Sequence, residues 1–189
     1  MLKNVEINVV TSNEHKFTEL STIAEKFGIK LKWIKLPKFE IQSDSLEEIV
    51  RVSTIYAYNM IKEPLIMEDS GLFIEALNNF PGPYTNYVRR TLGLEGILKL
   101  MEGVENRRAY FMTSLCYVDE KTVKVFNGKV YGKISHLIRG EKGFGFDPIF
   151  IPEGEERTFA EMETEEKNKY SHRARAFTEF AKFFLTYIS

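Results

Sequence analysis

The chain has 189 residues, 43% of them apolar and 28% charged, with a net charge of −1 at pH 7. That is enough apolar sequence for a sizeable core, and so small a charge argues against a general nucleic-acid binder, which is usually basic. A single cysteine, Cys116, excludes an internal disulfide framework and fits a reducing, cytoplasmic compartment.

No apolar run approaches membrane-spanning length, and Val5–Val10 is too short and too charged for a signal peptide. Residues 5–10 predict a buried strand. Residues 14–27 predict a helix with Phe17, Leu20, Ala24 and Phe27 on one face and Gly28 as its stop. Residues 31–36 predict a second strand, ended by Pro37. Ser45 opens a long helix to about residue 61, with a stripe of Leu46, Ile49, Val50, Ser53, Ala57 and Met60. Residues 65–68 predict a short apolar strand, and 94–101 a brief helix. Residues 109–118 and 122–137 predict a β-hairpin turning at Asp119-Glu120-Lys121. Ser171 caps a last helix whose face is Phe177, Phe180, Ala181, Phe184 and Ile188. No repeat, linker or low-complexity tract divides residues 1–189, so one domain is expected. Early strand–helix alternation followed by long paired strands predicts a mixed-sheet α/β protein, with ligand bound in a cleft between two lobes.

Four stretches carry chemistry. The first is Glu68-Asp69, adjacent acids inside apolar sequence, at the expected carboxyl end of a strand and before a turn. Strand ends of α/β sheets bind ligands. Alternation along an extended chain turns only one of the two acids toward the cleft. Carboxylates there suit magnesium, which takes few protein oxygens and completes its shell with water and phosphate. An exposed acidic turn is the competing reading. The second is Thr11-Ser12-Asn13-Glu14-His15-Lys16, joining the first strand to the first helix. Ser12 or Asn13 caps the helix, its free amides form an anion site, and Lys16 adds a point charge. A plain N-cap with a solvated lysine would look the same. The glycines of a P-loop are absent.

The third stretch is Gly143-Phe144-Gly145-Phe146-Asp147-Pro148, where two aromatics spaced by glycine could stack a purine or could pack into core. The fourth is Lys167-Asn168-Lys169-Tyr170-Ser171-His172-Arg173. Its histidine and arginine open the last helix, where cations oppose the macrodipole, so they suit carbonyl or phosphate oxygens of a ligand. A surface helix start is the alternative. Together the four supply the parts that hold a magnesium nucleoside triphosphate.

In order and spacing these motifs resemble the inosine triphosphate pyrophosphatase family. The resemblance rests on T-S-N-x-x-K, E-D-S-G-L followed by P-G-x-Y (Pro81, Gly82, Pro83, Tyr84), G-F-G-F-D-P and K-N-x-x-S-H-R, across residues 11–173. It implies an elongated α/β fold with a deep cleft between lobes, shared with Maf-like proteins. It also implies magnesium-dependent hydrolysis of ITP, dITP and XTP to the monophosphate and pyrophosphate, and a homodimer. By the same resemblance Thr11, Ser12, Asn13, Glu14, His15 and Lys16 would hold the triphosphate. Asp69 would be metal ligand and catalytic proton acceptor, with Glu40 as the other metal-binding acid. Ser70 would touch substrate. Phe144, Gly145, Phe146 and Asp147 would carry the base, joined by Lys167, His172 and Arg173. The chain departs from the family pattern at Glu68, where many members have Asp, and at Phe146, commonly Tyr or Trp. Thr85 replaces a common Ser, and the Arg that often follows is displaced to Arg89 or Arg90. A Maf-type pyrimidine nucleotide pyrophosphatase and a non-hydrolysing nucleotide sensor are the competing functions.

Overall fold

A computed structural model describes residues 5–37 and 39–188. Strand β1 (Val5–Val10) leads into helix α1 (Glu14–Glu25), strand β2 (Ile29–Ile34) and helix α2 (Leu46–Ile61). Then come strand β3 (Leu65–Ile74), the short strand β4 (Phe80–Gly82), and helices α3 (Thr85–Thr91) and α4 (Gly93–Leu100). The hairpin β5 (Arg108–Val118) and β6 (Val123–Ile134) follows, then β7 (Phe150–Pro152), α5 (Thr164–Lys167) and α6 (His172–Tyr187). The strands form one mixed sheet in the order β2-β1-β3-β5-β6-β7, with β4 paired to β3. β1 runs parallel to β2 and β3, and the remaining pairs are antiparallel. The mixed α/β class expected from the sequence is the fold observed.

Local chemistry explains most boundaries. Asn13 and Ser45 cap α1 and α2, each accepting a backbone N–H at 3.3 Å. Gly28, with φ 68°, reverses the chain between α1 and β2, so β2 begins two residues before Leu31. Asp119 closes the hairpin by accepting from the amides of Lys121 and Thr122 at 2.8 and 2.7 Å.

Three expectations need correction. β3 does not end at Glu68. It continues through Ser70 and Gly71 because β5 pairs with it at all ten positions, and that ladder outweighs the turn propensity of Ser-Gly. Helix α3 was not expected, since Val88 is its one buried residue and no apolar stripe marks it. Met60, near the end of α2, and Ile188, the residue that caps α6, were assigned to buried faces but are 55% and 45% exposed.

The core falls into three clusters. α1 and α6 pack on one face of β1, β3, β5 and β6 through residues such as Leu20, Ile66, Tyr117, Phe177 and Phe180. α2 covers the other face through Val50, Ala57, Met67 and Cys116. The far halves of β3 and β5 join α3, α4 and β7 in a third cluster that includes Leu72, Val88, Phe111, Phe146 and Phe159.

Candidate active site

The sheet itself makes the opening. β5 lines one edge of β3 throughout. On the other edge β1 pairs only as far as Ile66, and β4 begins at Leu72. Between them, among the described residues, no strand covers Met67 to Gly71. A cavity of about 800 Å³ opens along this gap. It is bordered by Thr11, Ser12, Asn13, Glu14 and Lys16 from the β1–α1 turn, by Glu40 from the segment before α2, and by Glu68, Asp69 and Ser70 of β3. Phe144 to Asp147, Lys167, His172 and Arg173 also line it, as do Tyr84, Tyr87, Arg89 and Arg90. Glycine at 71 is required by the packing, because a Cβ there would lie 2.5 Å from the carbonyl oxygen of Gly82.

The β1–α1 turn is held from two sides. Trp33 Nε1 donates to the Thr11 carbonyl at 2.7 Å, and Thr11 Oγ1 accepts from the Asn13 amide at 3.1 Å. Of the two capping candidates, Asn13 is the cap. The start of α1 and the Lys16 side chain therefore face the cavity. His15 is exposed and stands outside the lining, but its ring stacks on Phe144 at 5.3 Å. Glu40 is exposed in the segment leading to α2. That segment is tied down where Ser53 Oγ donates to the Phe39 carbonyl at 2.6 Å.

Strand alternation holds at the two acids, yet both border the cavity. Glu68 shares a face with Ser70, whose hydroxyl donates to it at 2.7 Å, while Asp69 stands on the α2 side with Met67. Lys16 Nζ lies 3.0 Å from Glu68 and 3.7 Å from Asp69, reaching both around the uncovered edge. The expectation that only one acid meets the cleft is corrected on that geometry.

Behind the cavity runs a buried chain of charge. Arg173 donates through Nη1 to Glu19, through Nε to Glu68 at 3.4 Å and through Nη2 to Ser70 at 3.2 Å. Lys167 Nζ bridges Glu19 at 2.7 Å and Asp147 at 2.6 Å. Buried ions persist only when paired, and this network pairs each of them. Burial alone would raise Glu19 and Glu68. Burial is the largest single influence on each, but Arg173 together with Lys167 at Glu19, and Arg173 together with Lys16 and Ser70 at Glu68, outweigh it, and both carboxyls lie below the usual range. At Asp147 burial wins over Lys167, Glu19 adds repulsion, and the carboxyl is pushed up. Burial, then Arg173 and Lys167, drive His172 well below the ordinary imidazole value, so its ring is neutral. That ring stacks on Phe111 at 4.8 Å, and its Nδ1 is buried with no hydrogen-bond partner.

The aromatic stretch divides. Phe144 faces the cavity beneath Lys167 Nζ, 5.0 Å from the ring centroid, and the Arg173 guanidinium, at 5.5 Å. Phe146 borders the cavity but is wholly buried in the third apolar cluster, so Phe144 is the ring of the two that is exposed in part. Asp147 faces inward too, accepting from the Phe144 amide at 2.9 Å and fixing that ring's loop. Sequence reasoning missed Glu19, which anchors the network. The signal was present: Glu19 stands three residues after Lys16 and four before Ile23, on the face of α1 that is buried. Thr113, whose hydroxyl meets Ser70 Oγ at 2.6 Å, carried no such signal.

The donors that could take a cation are all oxygens. Glu40 and Asp69 border the cavity from the α2 side, and the described residues contain no cluster of three or more His, Cys, Asp or Glu suited to a protein-only metal cage. Carboxylate oxygens bordering a cavity suit a hard divalent ion such as magnesium, which takes few protein oxygens and the rest of its shell from water and phosphate.

The sequence pattern of the Ham1 family matches residues 7–183. The chain belongs to that family. A relative named dITP/XTP pyrophosphatase from Saccharolobus solfataricus is 60% identical over 185 residues, covering 98% of this chain and 96% of that protein. Another of the same name, from Ignicoccus hospitalis, is 53% identical over 179 residues, covering 94% and 95%. Among solved structures, the Ham1 protein of Staphylococcus aureus superposes with a TM-score of 0.81 at 28% identity, over 96% of this chain and 98% of that one. A HAM1 protein from Coxiella burnetii gives 0.82 at 26% identity, over 96% and 99%.

Proposed function

We propose that this chain hydrolyses the non-standard purine nucleoside triphosphates ITP, dITP and XTP to the monophosphate and pyrophosphate. Relatives named dITP/XTP pyrophosphatase, at up to 60% identity over nearly the whole chain, support the chemistry. The observation that carries the reading is the single cavity that brings a helix-start anion site, a carboxylate pair and an aromatic ring under two cations within reach of one ligand.

The purine end lies at Phe144, where Lys167 Nζ and the Arg173 guanidinium stand 5.0 and 5.5 Å from the ring centroid. The unpartnered His172 Nδ1 is a polar group ready for the base. The phosphates extend toward Lys16 and the first amides of α1, which meet the charge of the leaving pyrophosphate. Glu40 and Asp69 would hold magnesium, which supplies neutralisation of phosphate charge. Asp69 accepts the proton of the water that attacks the α-phosphorus. Lys16 exchanges its two carboxylate partners for phosphate oxygens when substrate enters. The single buried Cys116 supports a reducing, cytoplasmic setting, and the family resemblance supports a homodimer. Among the described residues no helix is long and apolar enough to cross a membrane.

The test is product identification from a panel of purine and pyrimidine triphosphates with magnesium. ITP should yield IMP and pyrophosphate. Release of IDP and orthophosphate would reject attack at the α-phosphorus, a pyrimidine preference would favour the Maf-type reading, and binding without products would favour a sensor.

A further inference from the structure

The loop that carries Phe144 is fixed from below but bare at its tip. Asp147 accepts from the Phe144 amide at 2.9 Å and from Lys167 at 2.6 Å, which pins the base of the loop to α5. Gly143 and Gly145 both have positive φ, 70° and 65°, so the segment has the backbone freedom of glycine at both sides of the ring. Around the Cβ position of Gly145 nothing lies within 4 Å. His15, Lys167 and Arg173 meet the Phe144 ring, and a side chain of α3 reaches the backbone beside it. Arg89, on α3, donates from Nε to the Gly145 carbonyl at 2.8 Å. Its own helix is firmly seated. Val88 is buried in the third cluster, and Thr85 Oγ1 accepts from the Leu72 amide at 2.8 Å and donates to the Gly82 carbonyl at 2.6 Å. Arg89 therefore joins an anchored wall to a glycine-flanked loop.

We propose that Arg89 is a positioning residue that straps the Gly143–Asp147 loop to α3 and so sets the width of the slot into which the purine fits. The proposal rests on the reading of Phe144 as the base platform. A charged donor to a backbone carbonyl in a part-buried setting is worth more than a neutral one, and a strap of this kind lowers the cost of ordering the loop when a base binds. Arg89 acts through Gly145 and not on the phosphates.

Arg89→Met keeps the aliphatic length and removes every donor. In ligand-free protein, hydrogen exchange of the amides in 143–147 should speed up by about tenfold, while amides of β5 stay as protected as in the parent, showing an intact fold. Inosine, which carries the base without phosphate, should bind about tenfold more weakly, and tripolyphosphate should bind as before. In turnover, KM for ITP should rise with kcat held within about twofold. Weaker tripolyphosphate binding with unchanged inosine binding would make Arg89 a phosphate ligand and overturn the strap. Unchanged exchange in 143–147 would overturn it as well, whatever the turnover. A parent protein that leaves ITP intact would sink the proposed activity alone, because the exchange comparison needs no substrate.

Discussion

Replacing Glu19 by glutamine tests the buried charge chain directly. Gln keeps the volume and an acceptor oxygen, so no cavity forms and only the charge is lost. Glu19 is 5% exposed and faces both Lys167, at 2.7 Å, and Arg173. Each cation keeps one anion, Asp147 at 2.6 Å for Lys167 and Glu68 at 3.4 Å for Arg173. Breaking a buried pair costs about 3–5 kcal/mol, and the surviving partners place this change near the lower end, at about 3 kcal/mol. At about 2–4 °C per kcal/mol for a chain of this size, Tm should fall by about 6–12 °C. Glu179→Gln is the control. It removes an anion 2.8 Å from Lys182 with side chains 56% and 65% exposed, and should leave Tm unchanged. The assay is thermal unfolding followed by circular dichroism between pH 3 and 8. The Glu19 carboxyl lies below its ordinary value of 4.5 in the folded protein. Its stabilisation is therefore full above pH 4.5 and is lost as pH falls toward the folded value. The gap between parent and variant should be constant from pH 6 to 8 and narrow in the acid range. A Tm change no larger than the control's, or a gap that widens in acid, would refute the reasoning.

The two aromatics of the glycine-rich loop should separate in opposite ways. Phe146→Ala, in the buried cluster, should cost about 3–5 kcal/mol in denaturant unfolding, whereas Phe144→Ala should change stability little and raise KM for ITP. Asp69→Asn keeps shape and removes charge, and should lower turnover by about a hundredfold or more at saturating magnesium, read as pyrophosphate release. His172, held neutral by burial and by Arg173 and Lys167, should show no imidazole titration in the folded protein between pH 6 and 8 by NMR. Because the unfolded chain takes up that proton and the folded chain refuses it, His172 should subtract stability as pH falls below about 6.5. Light scattering at micromolar concentration should report a dimer, and a monomer there would remove the homodimer from the proposal.

What could be read from the sequence was what local chemistry decides. The caps at Asn13, Ser45 and Ser171, the stop at Gly28 and the turn at Asp119 act over a few residues, and they place the elements. The motifs around Lys16, Asp69, Phe144 and Arg173 were legible because unusual residue types stand together in the chain. What escaped is set by distant partners. The length of β3 comes from pairing with β5, more than forty residues away at Ser70 and Thr113. Phe144 and Phe146 look alike in sequence, and only the third cluster decides which ring is core. The buried face of α1 was legible around Glu19, but not its role, because its two cations arrive from residues 167 and 173. Helix α3 is held by one buried valine and by Thr85, neither of which makes a periodic pattern.

β3 and β5 also bear on how the molecule comes apart. Leu65, Ile66 and Met67 belong to the clusters under α2 and α6, while Leu72 and Ile74, on the same strand, belong to the cluster beneath α3 and α4. β5 is divided in the same manner, with Ala109 and Phe111 in one cluster and Leu115 to Val118 in the others. Melting either region frays a strand that the other region needs. The slowest-exchanging amides at both ends of β3 should then report one shared opening free energy, and fragments cut between Gly71 and Leu72 should fail to fold separately. The cavity lies at the seam of this arrangement, on a strand that cannot loosen without loosening the whole sheet.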